Sequence, residues 1–165
     1  MNASVSALDV IDALRGTGQT VATAESLTGG LLCATLVDIP GASDFLRGGV
    51  VAYLAETKSD VLGVDRALID KCGTVHPDVA AAMAEGAIRV MGSTWGVATT
   101  GVAGPEPSEG KPVGTVHVAV AGPGGVQTRE LSLHGDRRLI REQAVDAALS
   151  LLVGRLGEST GANHG

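Results

Sequence analysis

The sequence predicts a single three-layer α/β domain: a mixed, mostly parallel sheet of about five strands with helices on both faces. Three observations carry that expectation. Short apolar, β-branched runs alternate with stretches whose apolar residues recur at helical spacing. One pair of alternating strands around a Gly/Pro turn sits late in the chain, which makes the sheet mixed. The 165 residues are 44% hydrophobic, enough for one full core, and only Phe45, Tyr53 and Trp95 are aromatic. That core must be built from Ala, Val and Leu at close backbone spacing.

The elements follow in order. Val5, Leu8, Ile11 and Leu14 predict an amphipathic helix over 4–15, stopped by Gly16 and Gly18. Thr20–Ala24 reads as a strand. A polar turn, Glu25-Ser26-Leu27-Thr28-Gly29-Gly30, leads to a helix with Leu31, Leu32, Thr35 and Leu36, ending near Asp38 before Ile39-Pro40-Gly41. Gly48-Gly49 opens a strand, 50–54, whose nearly apolar run predicts an interior position buried on both faces. Short helices are expected from Glu56 to Gly63 and over 65–71, with Gly73 just past the second. Pro77 fits the first turn of a helix over 77–91, with Val79, Met83, Ala87 and Met91 on one packing face. This Ala-rich helix offers a flat face for self-association. Residues 95–100 form a further strand. The stretch 101–112 is the longest without periodic apolar signal, and such loops are usually functional or mobile. Strands 114–121 and 126–133 flank the turn 122–125. A last helix covers 136–156, and residues 157–165 are expected to fray. One domain over 1–165, with its core at about 5–156, has neither internal repeat nor linker.

Composition excludes several function classes. The formal net charge is -6, and no Lys/Arg cluster stands outside Arg137, Arg138 and Arg141. Nucleic-acid binding therefore lacks its electrostatic footprint and its stacking aromatics. No apolar run approaches ~18 residues, and no basic start precedes an apolar block, so neither a membrane span nor a signal peptide is expected. Cys33 and Cys72 lie far apart in predicted helices and read as free thiols. His76, His117, His134 and His164 lack metal-ligand spacing. A cytoplasmic protein with no metal, cofactor, nucleic-acid or membrane partner is the expectation.

Three polar clusters fall at or just past strand ends, where open α/β sheets bind ligands: Ser26–Gly30, Tyr53–Lys58 and Thr100–Gly104. A phosphate loop of the Walker type is rejected. Five residues separate Gly104 from Gly110-Lys111 where the motif has four, and Pro112 stands in place of the magnesium-binding hydroxyl. No G-x-G-x-x-G follows a strand. Nucleophilic catalysis is the better candidate; a serine needs a base to remove its proton, and no histidine stands near these clusters to supply one. Lys58 serves if burial lowers its pKa, and Tyr53 can donate or relay a proton. The plainer alternatives are a helix-capping Ser26 or Thr28, a solvated Lys58 paired with Glu56 or Asp60, and a half-buried Tyr53. Arg137 and Arg141 share a helix face, suited to phosphate or to surface pairing with Asp136, Glu142 or Asp146.

Ala24-Glu25-Ser26-x-Thr28-Gly29-Gly30 and Gly48-Gly49-Val50-Val51-Ala52-Tyr53 with Lys58 resemble motifs of the CinA C-terminal family. So do Thr100-Gly101-Val102-Ala103-Gly104-Pro105, Lys111-Pro112-Val113-Gly114-Thr115-Val116, and Gly135-Asp136-Arg137 with Arg141. The motifs run in order over residues 5–156. The resemblance implies the nicotinamide mononucleotide deamidase (PncC-type) activity in its stand-alone form: nicotinamide mononucleotide and water give nicotinic acid mononucleotide and ammonia. It implies Ser26 as nucleophile, Lys58 as base and Tyr53 assisting proton transfer. Backbone N–H groups near Thr28-Gly29-Gly30 would hold the oxyanion or the phosphate. Thr100, Gly101, Ala103 and Gly104 would line the other wall, and Arg141 would meet the phosphate of this small-molecule pyridine mononucleotide. It implies a homo-oligomer without cofactors. Leu27, Leu54-Ala55, His76 and the segment Glu106–Gly110 depart from the family's usual residues. The alternative is a nucleotide-binding regulatory domain of the same family without turnover.

Overall fold

The computed structural model describes residues 4–161. Helix α1 (Ala7–Leu14) starts at a capping box in which Ser6 and Asp9 satisfy each other's backbone N–H. It is followed by β1 (Val21–Glu25), α2 (Leu31–Val37), β2 (Leu46–Val51), α3 (Ala55–Asp60), α4 (Arg66–Cys72) and α5 (Pro77–Met91). Strand β3 (Trp95–Gly101), the hairpin β4 (Thr115–Gly122) and β5 (Gly125–Ser132), and α6 (Arg137–Gly161) complete the chain. The α/β class and the mixed five-stranded sheet are as the sequence predicts.

The sheet order is β2-β1-β3-β4-β5. Strands β2, β1 and β3 run parallel, and β4 and β5 are antiparallel. The chain leaves β1 for one side, then crosses back over it to β3, so the order reverses next to β1. Register matters most for function. Glu25 pairs with both Val51 and Thr99, so β1 and β2 end level with one another, while β3 runs two residues further, to Gly101. Ser26 and Ala52 therefore leave the sheet side by side, next to Thr100 of β3, at the switch point where such sheets bind ligands.

Apolar side chains cluster on each face. Leu14, Leu32, Leu36, Trp95, Ile140, Leu149 and Leu152 fill the layer under α1, α2 and α6. Ala22, Ala24, Val79, Met83, Ala84, Ala87 and Ala98 fill the layer under α5. The second layer is thin because its residues are small, and a Cβ on Gly96 would overlap the carbonyl of Ala84 in α5.

Three expectations are corrected. Strand β2 spans 46–51 rather than 50–54 and lies at the sheet edge, with residues alternating between half-buried and exposed. An apolar run reads the same in an edge strand and an interior one, and here Val51 stays half exposed. The Ala-rich face of α5 is turned onto the sheet, so it offers no surface for self-association. Helix α6 continues through residues 157–161, which are helical rather than frayed; residues 162–165 lie outside the described residues. No described helix is long and apolar enough to cross a membrane.

Candidate active site

The turn after β1 is built on a buried carboxylate. Glu25, 1% exposed, accepts from the Thr28 hydroxyl at 2.6 Å and from the backbone N–H groups of Leu32 and Cys33 at 2.8 and 3.0 Å. It thereby caps the first turn of α2 from within. Ser26 N–H donates to Thr99 O at 3.0 Å, and Gly29 N–H donates to Ser26 O at 3.1 Å. Gly29 and Gly30 take φ of +58° and +100°, which lets the chain fold back over Ser26 and enter α2. Arg141 fastens the turn from α6, donating from Nε to Leu27 O at 2.8 Å and from Nη2 to Thr28 O at 3.2 Å.

Lys58 comes from α3, at the end of the neighbouring strand. Only 1% of it is exposed. Its Nζ lies 3.0 Å from Ser26 Oγ, 2.8 Å from Ala52 O and 3.2 Å from Tyr53 O. Burial pulls the ammonium from its ordinary value of 10.5 down to about 8, while the charge of Glu109 acts in the opposite direction. The geometry then selects a direction for the lone pair. A neutral amine has two N–H groups and one lone pair, and the carbonyls of Ala52 and Tyr53 can only accept. They take the two N–H groups, and the lone pair is left for the Ser26 hydroxyl proton.

A cleft of about 220 Å³ opens above this pair. One wall carries Ser26, Leu27 and Tyr53, and the other Gly101, Val102, Ala103 and Gly104. Thr74, Val75, Glu106, Ser108 and Arg137 complete it. The structure thus brings Ser26, Lys58, Tyr53, Gly101, Ala103 and Gly104 together. It uses the other predicted residues differently. Thr28 spends its hydroxyl inside, on Glu25 and on Thr99 Oγ1 at 2.8 Å. Thr100 is buried and donates to Thr74 O at 2.9 Å, behind the wall. Gly29, Gly30 and Arg141 shape the Ser26 turn from outside the cleft. The first-turn N–H groups of α2 are taken by Thr28 O (Leu31) and by Glu25 (Leu32 and Cys33), so that helix start is not open to an anion.

Tyr53 presents its hydroxyl to Arg137 Nη2 at 3.0 Å rather than to Ser26 or Lys58. Arg137 also donates to Gly104 O, which makes it a tie across the cleft mouth. Sequence reasoning left Arg137 between phosphate and surface, because its spacing from Arg141 gives a shared helix face and not what each of the two meets. Glu25 and Glu109 were missed as organising residues. A larger cavity of about 580 Å³ lies at the opposite sheet end, by Gln19, Gln127 and Arg155, and has no nucleophile paired with a base. Among the described residues no group of three or more His, Cys, Asp or Glu is placed to hold a metal ion.

Comparison with known proteins follows the same outline. The family model of the CinA C-terminal domain matches residues 4–156. A CinA-like protein of Frankia casuarinae is 54% identical over 133 residues, which is 81% of this chain and 31% of that protein. A CinA-like protein of Anaeromyxobacter dehalogenans is 49% identical over 144 residues, 87% of this chain and 35% of that one. The chain spans about a third of the length of these curated relatives. A crystal structure of a competence-damaged protein superfamily member from Klebsiella pneumoniae superposes with a TM-score of 0.89 at 33% identity, covering 92% of this chain and 96% of that one. A competence/damage inducible protein from Agrobacterium tumefaciens superposes with a TM-score of 0.87 at 37% identity, over 92% and 93% of the two chains.

Proposed function

The chain belongs to the CinA C-terminal domain family, and from that premise we propose that it is an amidohydrolase converting nicotinamide mononucleotide and water to nicotinic acid mononucleotide and ammonia. The observation that carries the reading is the buried Lys58 Nζ at 3.0 Å from Ser26 Oγ, with two carbonyls as its other partners. A domain that only bound a nucleotide would need no buried amine on that serine.

In this mechanism Ser26 Oγ attacks the carboxamide carbon while its proton passes to Lys58. The tetrahedral intermediate collapses as Lys58 returns that proton to the departing nitrogen, releasing ammonia and leaving an acyl ester on Ser26. Water then attacks the ester carbon, gives a proton to Lys58, and the acid leaves as Ser26 recovers its hydrogen. The N–H groups of Leu27 and Thr28 donate to no backbone group among the described residues and adjoin the nucleophile, so they are assigned to the oxyanion. Arg137, at the cleft mouth, is assigned to the phosphate; Arg141 is committed behind the Ser26 turn. Tyr53 contributes its carbonyl to Lys58 and its ring to the mouth.

The test is ammonia release from nicotinamide mononucleotide by wild type, Ser26→Ala and Lys58→Met. Wild type is expected to turn over, and each variant to lose on the order of a thousandfold or more in kcat. Full turnover by Ser26→Ala would remove the nucleophile assignment. An inactive, folded wild type that still binds the nucleotide would favour the regulatory reading.

A further inference from the structure

We propose that Glu109 is a positioning residue: its carboxylate latches the 104–112 loop to the connection between α4 and α5, and so sets the width of the cleft above Ser26. The observation starts in the backbone. Glu109 has φ +53° and is the only non-glycine residue with positive φ among those described. Gly110 beside it has φ +71°. Ser108 and Lys111 close the turn by exchanging backbone hydrogen bonds of 3.2 and 2.9 Å. Positive φ at both central positions defines a primed turn, in which glycine, asparagine and aspartate are the usual occupants. A glutamate persists in that conformation where its surroundings over-determine it.

Those surroundings lie on the opposite wall. The Thr74 N–H donates to both carboxylate oxygens at 2.9 and 3.1 Å, the Thr74 hydroxyl to Oε1 at 3.0 Å, and the Val75 N–H to Oε2 at 3.0 Å. Gly73, with φ +76°, leaves room for the carboxylate, since a Cβ there would stand 2.9 Å from Oε2. Burial raises the Glu109 pKa, but the Thr74 and Val75 hydrogen bonds outweigh it, and the group stays below its ordinary value. From the other side Thr100 Oγ1 donates to Thr74 O. The Thr74 residue is thus held by its N–H from the loop and by its carbonyl from β3. Thr74 and Val75 line the cleft together with Glu106 and Ser108 of the loop. Glu109 fastens these two walls to each other.

The latch itself stands on geometry; its consequence for substrate rests on the amidase reading. The test uses the full chain as wild type, Glu109→Gly and Glu109→Gln. Hydrogen exchange is read at the Thr74 and Val75 amides relative to Val97, in the central strand β3, which reports whole-molecule unfolding. Glu109→Gly suits the positive φ and removes the carboxylate, so the latch predicts about tenfold or greater acceleration at Thr74 and Val75 relative to Val97. Glu109→Gln keeps one acceptor oxygen and is expected to fall between. For turnover, read at a pH on the plateau above about 8 where Lys58 is neutral in both proteins, KM for nicotinamide mononucleotide should rise about tenfold in Glu109→Gly with kcat within about twofold. Unchanged relative exchange would overturn the latch, because a residue serving only the turn is replaced by glycine without loss. Accelerated exchange with unchanged KM would overturn the cleft-width role. Accelerated exchange in a protein that shows no turnover would uphold the latch and count against the amidase reading alone.

Discussion

Lys58 joins the proposed chemistry to a stability cost at a single side chain. As a base it acts in the neutral form, so kcat/KM should rise with pH and level off above about 8. Glu109 opposes the downward shift of Lys58 and is itself ionised across this range. Glu109→Gln should therefore move the acid limb to lower pH, and a limb that stays in place or moves upward would contradict the assignment of Lys58 as base. Stability follows from the same shift. The folded value of about 8 lies below the unfolded 10.5, so below about pH 8 both states hold the proton and burial costs a constant amount of about 3 kcal/mol. Between about 8 and 10.5 the unfolded chain holds a proton that the folded chain has released, and stability rises with pH. Lys58→Met lacks this gain. The difference in urea midpoint between wild type and Lys58→Met should move in favour of wild type as pH rises through that window, and a pH-independent difference would refute a depressed Lys58.

Elements hold the site through their ends. Glu25 terminates β1 and caps α2 in one residue, so Glu25→Ala strands the Leu32 and Cys33 N–H groups and leaves the buried Thr28 hydroxyl with Thr99 alone. The expected loss is about 2–4 kcal/mol from several buried groups left unpaired, measured by chemical denaturation. The elements themselves were largely legible. Pro77 and the four-residue spacing of Val79, Met83, Ala87 and Met91 predict a helix over 77–91, the bounds that α5 has. Strand β2 was not, because an apolar run carries no information about which neighbours cover it. Ser26 and Lys58 were legible as a pair of residue types suited to each other, but their distance depends on the level ends of β1 and β2, a property of register. Glu109 was illegible for a related reason: its partners are 34 and 35 residues away, and a lone glutamate in a polar loop has no periodic mark. Arg141 had the right neighbourhood and the wrong side, since spacing on α6 gives a face and not what that face meets.

At the scale of the whole molecule, binding and turnover can be separated by linkage. The cleft sits at the carboxyl ends of the three parallel strands, on a sheet whose two faces are both closed by helices, so a ligand there adds its binding energy to one cooperative unit. Ser26→Ala removes a hydroxyl that accepts from Lys58 and leaves the walls, Arg137 and the Leu27 and Thr28 N–H groups in place. In the proposed mechanism this variant binds nicotinamide mononucleotide without consuming it. Nucleotide at about a hundred times its dissociation constant should then stabilise Ser26→Ala by about 2.7 kcal/mol. For a chain of this length that is a rise in Tm of roughly 5–10 °C. Wild type under the same conditions should show a shift that decays as substrate is converted, at the rate at which ammonia appears. A steady shift in both proteins with no ammonia would assign the cleft to nucleotide binding without turnover. The absence of a shift in Ser26→Ala, with the fold intact, would remove nicotinamide mononucleotide as the ligand and direct the search to other amides that the Ser26–Lys58 pair can attack.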